Sequence, residues 1–394
     1  MFSAVLHCRL GSFCRSNSVG WRMEDTNDTD DYSAMQIQVL SSVEAVRKRP
    51  GMYVGDTRGD GLYHLLWEVI GNVIDLHLRR DATELHVDIT EDSWVTIRDD
   101  GPGIPVCPVT TGESVLECVL TKLHAGATYD GHYPHVHICP GLVGVGLVVV
   151  NALSRRLEVE TTVDGTRWAM RFERGVPTSP LRRLGPTSID GTLIRFQPDP
   201  SIFESTELDV ERVRARLQQL AWLNPFLGIW FQERTLKARG GVRRWAESLA
   251  ASRGDVLARY STCQNRDGVY VDLALAWTNG DDLDVRCFVN ANETRSGTHV
   301  AGMWRGLARV ARTLGAPDRP AENARKVLGR GLVAIVHVGL FGPQFASPTR
   351  DHLASPIAGT AVAGVLASDL PEALARDVGL GTFVRDRLGI ALRA

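Results

Sequence analysis

The segment GLYHLLWEVIGNVID, residues 61–75, is too apolar for an ordinary surface helix and too polar for a wholly buried one. Turned at about 100° per residue, His64, Glu68, Asn72 and Asp75 fall within about 80° of one another and make a single polar stripe. Nearly everything off the stripe is apolar: Leu62, Leu65, Leu66, Trp67, Val69, Ile70, Val73 and Ile74. Such a helix packs on most of its circumference. A stripe of this kind is ordinarily the solvated side of an amphipathic helix, and on spacing alone that reading stays open. Solvated faces, however, usually carry long Lys, Arg and Glu side chains, whereas this one carries groups that accept protons or hold a metal.

The chain around this segment has 394 residues, 44% of them hydrophobic, enough for two domains with a core each. A formal net charge of -2 gives no global basic field, so contact with DNA has to come from a local patch or a partner. Lysine occurs only at 48, 122, 237 and 326 among 44 basic residues, a skew toward arginine from which no function follows. The seven cysteines (Cys8, Cys14, Cys107, Cys118, Cys139, Cys263, Cys287) form no CxxC pair, so neither a zinc site nor a disulfide framework is signalled and a cytoplasmic location is expected. No window approaches about 18 uninterrupted apolar residues, which argues against a membrane span. The first 22 residues carry Arg9, Arg15 and Arg22 but no acid, superficially a targeting segment. An over-long start is the preferred reading, because Met23 opens a different run, MEDTNDTDDYSAM, acidic and expected to order only on binding.

Along the chain, VEAVRKRPGMYVG (43–55) reads as a short helix broken at Pro50 and Gly51, ahead of the stripe helix. ELHVDIT and SWVTIRDDG alternate as two strands, the second running into the tight loop DDGPGIP. Residues 124–141 read as a long loop leading into GLVGVGLVVVNALS, glycines followed by a helix. RLEVETTV, TRWAMRFE and GTLIRFQP supply three more strands and VERVRARLQQLAWL a helix. A composition shift near ARGGVRRWAESL marks a domain boundary. Beyond it, GVYVDLALAW, DVRCFVNA and GLVAIVHVGL read as strands, and MWRGLARVARTL and TAVAGVLASDLPEALARDV as helices, giving a second, mixed α/β domain.

Three pieces converge on a nucleotide. Gly141, Gly144 and Gly146 directly precede an apolar helix, where backbone N–H groups and the positive helix end can approach phosphates, although glycines there often make only a turn. Asp99, ahead of Gly101 and Gly103, offers a carboxylate acceptor suited to the exocyclic amino group of a base, and Thr192 can place a hydroxyl beside it. The stripe is the third.

Taken together, RKRPGMYVGDT, EVIGNVID, RDDGPGIPV, LHAG, GLVGVG, VVNALS, DGTLIRF, FVNANETRSGTHVAG and PTRDHL resemble the N-terminal half of the B subunits of DNA gyrase and topoisomerase IV, members of the GHKL ATPase superfamily. The resemblance runs in order from about Tyr32 to the C-terminus. It implies an α+β fold: a GHKL (Bergerat) α/β sandwich over 32–240, then a smaller α/β transducer domain over 241–394 with a left-handed βαβ unit, residues 1–31 being an extension. It also implies ATP and Mg²⁺. Glu68 matches the general base that activates water against the γ-phosphate, with His64 one turn earlier placed to orient it. Asn72 matches the Mg²⁺ ligand, and Asp75 holds water or supports the adenine end. Asp99 matches the adenine-reading Asp, with Thr192 completing its hydrogen bonds and Gly101, Gly103 and Ile104 shaping the base pocket. Gly141, Leu142, Gly144, Val145 and Gly146 match the lid around the triphosphate. Arg350 stands where the family has a Lys that reaches the γ-phosphate, and Tyr32 and Tyr53 match tyrosines that contact nucleotide, Tyr32 from an arm exchanged between protomers.

Departures from the family's pattern accompany the matches. Leu76 and Pro102 replace an acid and a base that pair at the pocket mouth, so both charges are lost together, which is far cheaper than losing one. Gly71 replaces an acid, Val143 the lid His, Thr128 a phosphate-binding Lys and Val163 an Arg flanking the adenine pocket. Pro348 and Arg350 alter the Gln-Thr-Lys loop, and Arg for Lys changes reach and geometry. Loop histidines His135 and His137 are assigned no role. Family members continue past the position of Ala394 into a metal-binding module that works with strand-cleaving machinery, so this chain alone is expected not to change DNA topology. The leading expectation is an Mg²⁺-dependent ATPase that homodimerises on ATP binding. The alternative is a weak nucleotide binder that regulates gyrase, or acts as a decoy, by pairing with its subunits; a decaying gene fragment is third.

Overall fold

The computed structural model describes residues 39–125, 144–316, 321–347 and 350–390. Three tight hairpins organise its first sheet and its second. Strands Ser154–Val163 and Thr166–Glu173 are joined by Asp164 and Gly165, at φ 49° and 66°. Arg174 and Gly175, at φ 51° and 85°, join Thr166–Glu173 to Val176–Pro177. Asp267 and Gly268, at φ 53° and 76°, join Val256–Arg266 to Val269–Thr278. Two successive residues of positive φ form the turn whose twist matches that of the strands it connects, which is why Asp-Gly recurs here.

Among the described residues the first sheet has nine strands. From one edge it runs Val176–Pro177, Thr166–Glu173, Ser154–Val163, Thr192–Pro198, Val95–Asp99, Glu84–Ile89, Gly228–Phe231 and Arg234–Thr235, with Arg182–Pro186 beside Thr166–Glu173. Alternation decides which face is covered: Thr192–Pro198 is buried at every second residue. Leu85, Val87, Ile97, Leu157, Val159 and Phe196 form one core with Leu65, Leu66 and Ile70 of the stripe helix, Val148 of Gly146–Ala152 and Leu217 of Val210–Leu223.

The second sheet has five strands, in the order Val256–Arg266, Val269–Thr278, Leu332–Gly339, Asp284–Val289, Asn292–Thr294. Asp284–Val289 pairs parallel to Leu332–Gly339, the chain crossing between them through helices Thr298–Thr313 and Ala321–Leu328. One face packs on Thr298–Thr313, Pro356–Arg376 and Val378–Leu388, the other on Gly241–Ala251. The Pro356–Arg376 helix is long and apolar enough to cross a membrane by composition. Here it is a core helix, lying so close to Thr298–Thr313 that a Cβ on Gly302 would stand 2.4 Å from the carbonyl oxygen of Gly359.

Candidate active site

The stripe helix runs Asp60–Leu78, and its burial follows the wheel. Ten of its residues are buried, whereas His64, Glu68, Asn72 and Asp75 are each half-buried. Glu68, Asn72 and Asp75 form one wall of a cavity of about 240 Å³. His64 does not line it. Its buried Nδ1 has no hydrogen-bond partner among the described residues, and burial lowers its pKa against the opposing pull of Asp60 and Asp56, so the ring is neutral at pH 7.

Across the cavity, strand Val95–Asp99 ends opposite Leu85 and delivers Asp99, 6% exposed, into the wall. Its Oδ1 accepts hydrogen bonds from the backbone N–H of Gly101 at 2.8 Å and of Thr192 at 3.3 Å. Thr192 therefore contributes its main chain, where the sequence suggested its hydroxyl, because the start of strand Thr192–Pro198 points its amide at the carboxylate. Burial pushes the Asp99 carboxyl up to about 6, and these two amides restrain it from rising further. Asp100 turns away and accepts from the amides of Thr83 and Glu84, at 2.8 and 2.9 Å, pinning the loop to the neighbouring strand.

The glycines of that loop are required by close approach. Gly103 sits at φ 80°, and a Cβ there would lie 2.0 Å from the carbonyl oxygen of Thr162. Ile104, next in the cavity wall, donates its amide to Thr161 Oγ1 at 2.7 Å. Gly101 lies behind Asp99, outside the lining. At the other end, Gly144 and Gly146 line the cavity, and a Cβ on Gly146 would stand 2.2 Å from Glu68 Oε2. Val145 between them is 5% exposed and packs into the core.

Other residues of the expected set lie elsewhere. Tyr53 is half-buried against the first core and does not line the cavity. Arg350 is also outside the lining: it adopts φ 55°, its guanidinium 5.9 Å from the centre of the Phe345 ring. Tyr32, Gly141 and Leu142 lie outside the described residues, as do Thr128, His135, His137, Val143 and Pro348.

Several lining residues escaped the sequence reading. Trp67, Val119, Leu147, Ile97 and Ile194 supply apolar wall, and Arg79 joins the expected Leu76 at the far end. Four residues past Asp75 on the wheel is Arg79, so the stripe extended by one turn would have found it. Among the described lining residues Arg79 is the single cation, and its Nε lies 3.2 Å from Asp81 Oδ2. Arg47, from the AVRKRPGMY string, ties the site's frame together: it donates to the Ala152 carbonyl at 2.6 Å and to the wholly buried Asp199 at 2.8 Å.

The chain that carries this arrangement is similar to known proteins along most of its length. The family model of histidine kinase-, DNA gyrase B- and HSP90-like ATPases matches residues 57–200, and that of DNA gyrase B matches residues 241–388. The 43K ATPase domain of Thermus thermophilus gyrase B, solved in complex with an aminocoumarin, superposes with a TM-score of 0.77 at 32% identity, over 90% of this chain and 95% of that one. The chain belongs to the gyrase B-type GHKL ATPase family. The DNA gyrase B protein of Staphylococcus epidermidis is 34% identical over 389 residues, and a Myxococcus xanthus gyrase B structure aligns with a TM-score of 0.73 at 27% identity over 87% of this chain and 99% of that one. This member spans 94% of its own length in the Staphylococcus alignment but 60% of the relative's. Its nine-stranded and five-stranded sheets with their helices are thus the GHKL fold followed by a transducer-like unit.

Proposed function

We propose that this chain is the ATP-binding and ATP-hydrolysing portion of a gyrase B-type assembly, with residues 32–240 as the nucleotide domain and 241–394 as the transducer. The observation that carries this is the placement of Glu68 and Asp99 toward opposite ends of one cavity with Asn72 between them. About seven residues of helix, some 10 Å, separate Glu68 from Asp75, room for a triphosphate laid along the helix. Asp99 accepts the exocyclic amine of adenine, its Oδ1 position set by Gly101 and Thr192. Gly103, Gly144 and Gly146 bring bare backbone to the cavity wall.

The residues fit Mg²⁺ in the manner usual for that ion. Among the described residues there is no cluster of three acidic, His or Cys side chains that holds a metal unaided. Asn72 Oδ1 together with phosphate oxygens and waters is the donor set that Mg²⁺ prefers. When bound, the ion neutralises charge on the phosphates. Glu68 takes the proton of the attacking water, and Leu147, Val119 and Trp67 restrict access of bulk solvent to that end. Homodimerisation on ATP binding, pairing with other gyrase subunits, and DNA contact belong to the same reading, as does a cytoplasmic setting.

The test is ATP turnover of residues 23–394 with Mg²⁺, over a range of protein concentrations, beside Glu68→Ala. Turnover rising faster than linearly with concentration and abolished in the variant supports an ATP-clamped dimer. A second reading, a regulator or decoy that binds nucleotide without turnover, is favoured by the position of Arg350 away from the cavity and by Gly71 in its wall. Saturable binding of a non-hydrolysable analogue with no hydrolysis would select that alternative.

A further inference from the structure

A second cavity, of about 440 Å³, opens where helix Gly241–Ala251 meets strand Val256–Arg266. That volume lies in the range of small-molecule sites, about 300–1,000 Å³. Trp222, in the last turn of helix Val210–Leu223, lines it and packs both on the core of the first sheet and on the core beneath Gly241–Ala251. Arg239 enters from the segment between the two helices. The cavity thus sits at the seam of two packed bodies, where ligands commonly bind. Its chemistry is divided: Trp222, Ala251 and Val256 are apolar, whereas Arg239, Arg244 and Arg259 set three positive charges against one acid, Glu247. The Glu247 side chain is 12% exposed, with guanidinium groups at 3.0 Å (Arg244), 3.7 Å (Arg259) and 3.9 Å (Arg243). It holds those heads in place but cannot neutralise them. Guanidinium groups gathered around one carboxylate repel one another, and Arg243 and Arg244 also stand in the first turn of their helix, the end that disfavours cations. An anion of two or more charges offsets both costs.

We propose that this cavity binds a small organic anion, its flat apolar body against Trp222 and Val256 and its two or more negative charges on Arg239, Arg244 and Arg259. Guanidinium forks pair with phosphate and carboxylate oxygens alike, so an aromatic phosphate ester and an aromatic polycarboxylate share the required chemistry. An inorganic polyphosphate has the charge but lacks the apolar body. The site is separate from the first cavity, with which it shares no lining residue. A ligand here touches Trp222, Arg239 and the Gly241–Ala251 helix together, and so braces the seam.

The test is calorimetric titration of the full chain, without nucleotide, with naphthyl phosphate, naphthalene dicarboxylate and pyrophosphate. One of the naphthyl dianions is expected to bind one-to-one and at least tenfold tighter than pyrophosphate, and the tighter of the two identifies the anionic group as phosphate or carboxylate. Combined Arg244→Ala and Arg259→Ala is expected to weaken that binding at least tenfold. Their side chains are 60% and 61% exposed, so the variant should keep the melting temperature of wild type without ligand. The matching pair of Arg→Lys changes, charged but without the fork, should recover only part of the affinity. Phenylglyoxal labelling, read peptide by peptide by mass spectrometry, locates the probe. It should protect Arg239, Arg244 and Arg259 and leave Arg171 of the first sheet, 67% exposed, reactive. Protection of Arg79 instead would put the probe in the first cavity and overturn the proposal. Equal binding by the Ala variant, pyrophosphate as tight as either naphthyl compound, or no saturable binding at millimolar probe would overturn it too.

Discussion

Glu68 and Gly146 share one small volume: the carboxylate oxygen Oε2 lies where the first side-chain atom of any other residue at 146 would be, 2.2 Å from that position. The helix backbone at 146 accepts alanine readily, and alanine favours a helix over glycine by about 1 kcal/mol. The cheapest relief is therefore movement of the flexible Glu68 side chain. Gly146→Ala should fold with an equal or higher melting temperature, yet lose about 10²-fold in turnover, on the scale of a displaced general base. Thermal melts set beside steady-state hydrolysis check this; normal turnover would show that Glu68 does not act from this position.

Asp99 should make nucleotide affinity pH-dependent. The ligand-free carboxyl titrates near 6, so the accepting form dominates at neutral pH and is lost as pH falls through that value. Affinity for a non-hydrolysable ATP analogue should be flat above about pH 7 and fall about tenfold per unit well below 6. Stability runs the other way. A folded-state value above the unfolded one, 3.8, means that the ionised group opposes folding at pH 7 and that this penalty disappears between pH 6 and 4. Asp99→Asn should accordingly raise the melting temperature, by up to about 2–3 kcal/mol of stability at pH 7, and abolish binding. Calorimetry over pH 5–8 with both proteins reads both effects.

Arg47→Ala should destabilise the whole first core without touching the cavity. It strands Asp199, whose side chain is fully buried, leaving only Arg174 at 3.2 Å and the Ser201 hydrogen bonds. Loss of a partner from a buried carboxylate costs about 2–4 kcal/mol. Burial alone would raise the Asp199 pKa; Ser201 and Arg47 outweigh it and hold the group below its usual range. Its contribution is therefore present above the ordinary carboxylate pKa and lost in acid, so the difference between wild type and variant in urea titrations should shrink as pH falls below about 4.

Aminocoumarin inhibitors should bind this protein poorly. Leu76 lines the far end of the cavity and Pro102 and Val163 are uncharged, so these three positions offer no ion pair or flanking guanidinium, and the one cation at that end, Arg79, is paired with Asp81. Calorimetry with aminocoumarin compounds should give a Kd at least about 10²-fold above nanomolar, equivalent to about 3 kcal/mol. Leu76→Glu with Pro102→Arg should recover part of it.

Legibility in the sequence followed local physics. The stripe helix, the strands ending at Asp99 and Glu173, and the helix over 210–223 were readable because burial and period agree in each. Strand Val256–Arg266 was missed although NRDGVY carries the Asp-Gly turn that pairs it: its outward Arg259, Ser261 and Cys263 interrupt any apolar run, and its inward Ala258, Tyr260 and Thr262 are only modestly apolar. Short edge strands such as Arg182–Pro186 exist only through pairing and carry no period of their own. In the site, residues near the stripe were visible on a wheel, whereas Val119, Ile194 and the Arg47–Asp199 pair depend on contacts between segments far apart in sequence.

The stripe helix is enclosed on every side but one, and that side carries the groups proposed to react. For a compound seated along it, this leaves few routes of mutational escape: a change at Leu65, Leu66 or Ile70 undoes the core, and a change at Glu68 or Asn72 is expected to remove the proposed activity. Tolerance is confined to its last turn, at Leu76 and Arg79, where the wall is half-open to solvent. A ligand that stops short of that turn gives resistance little to select.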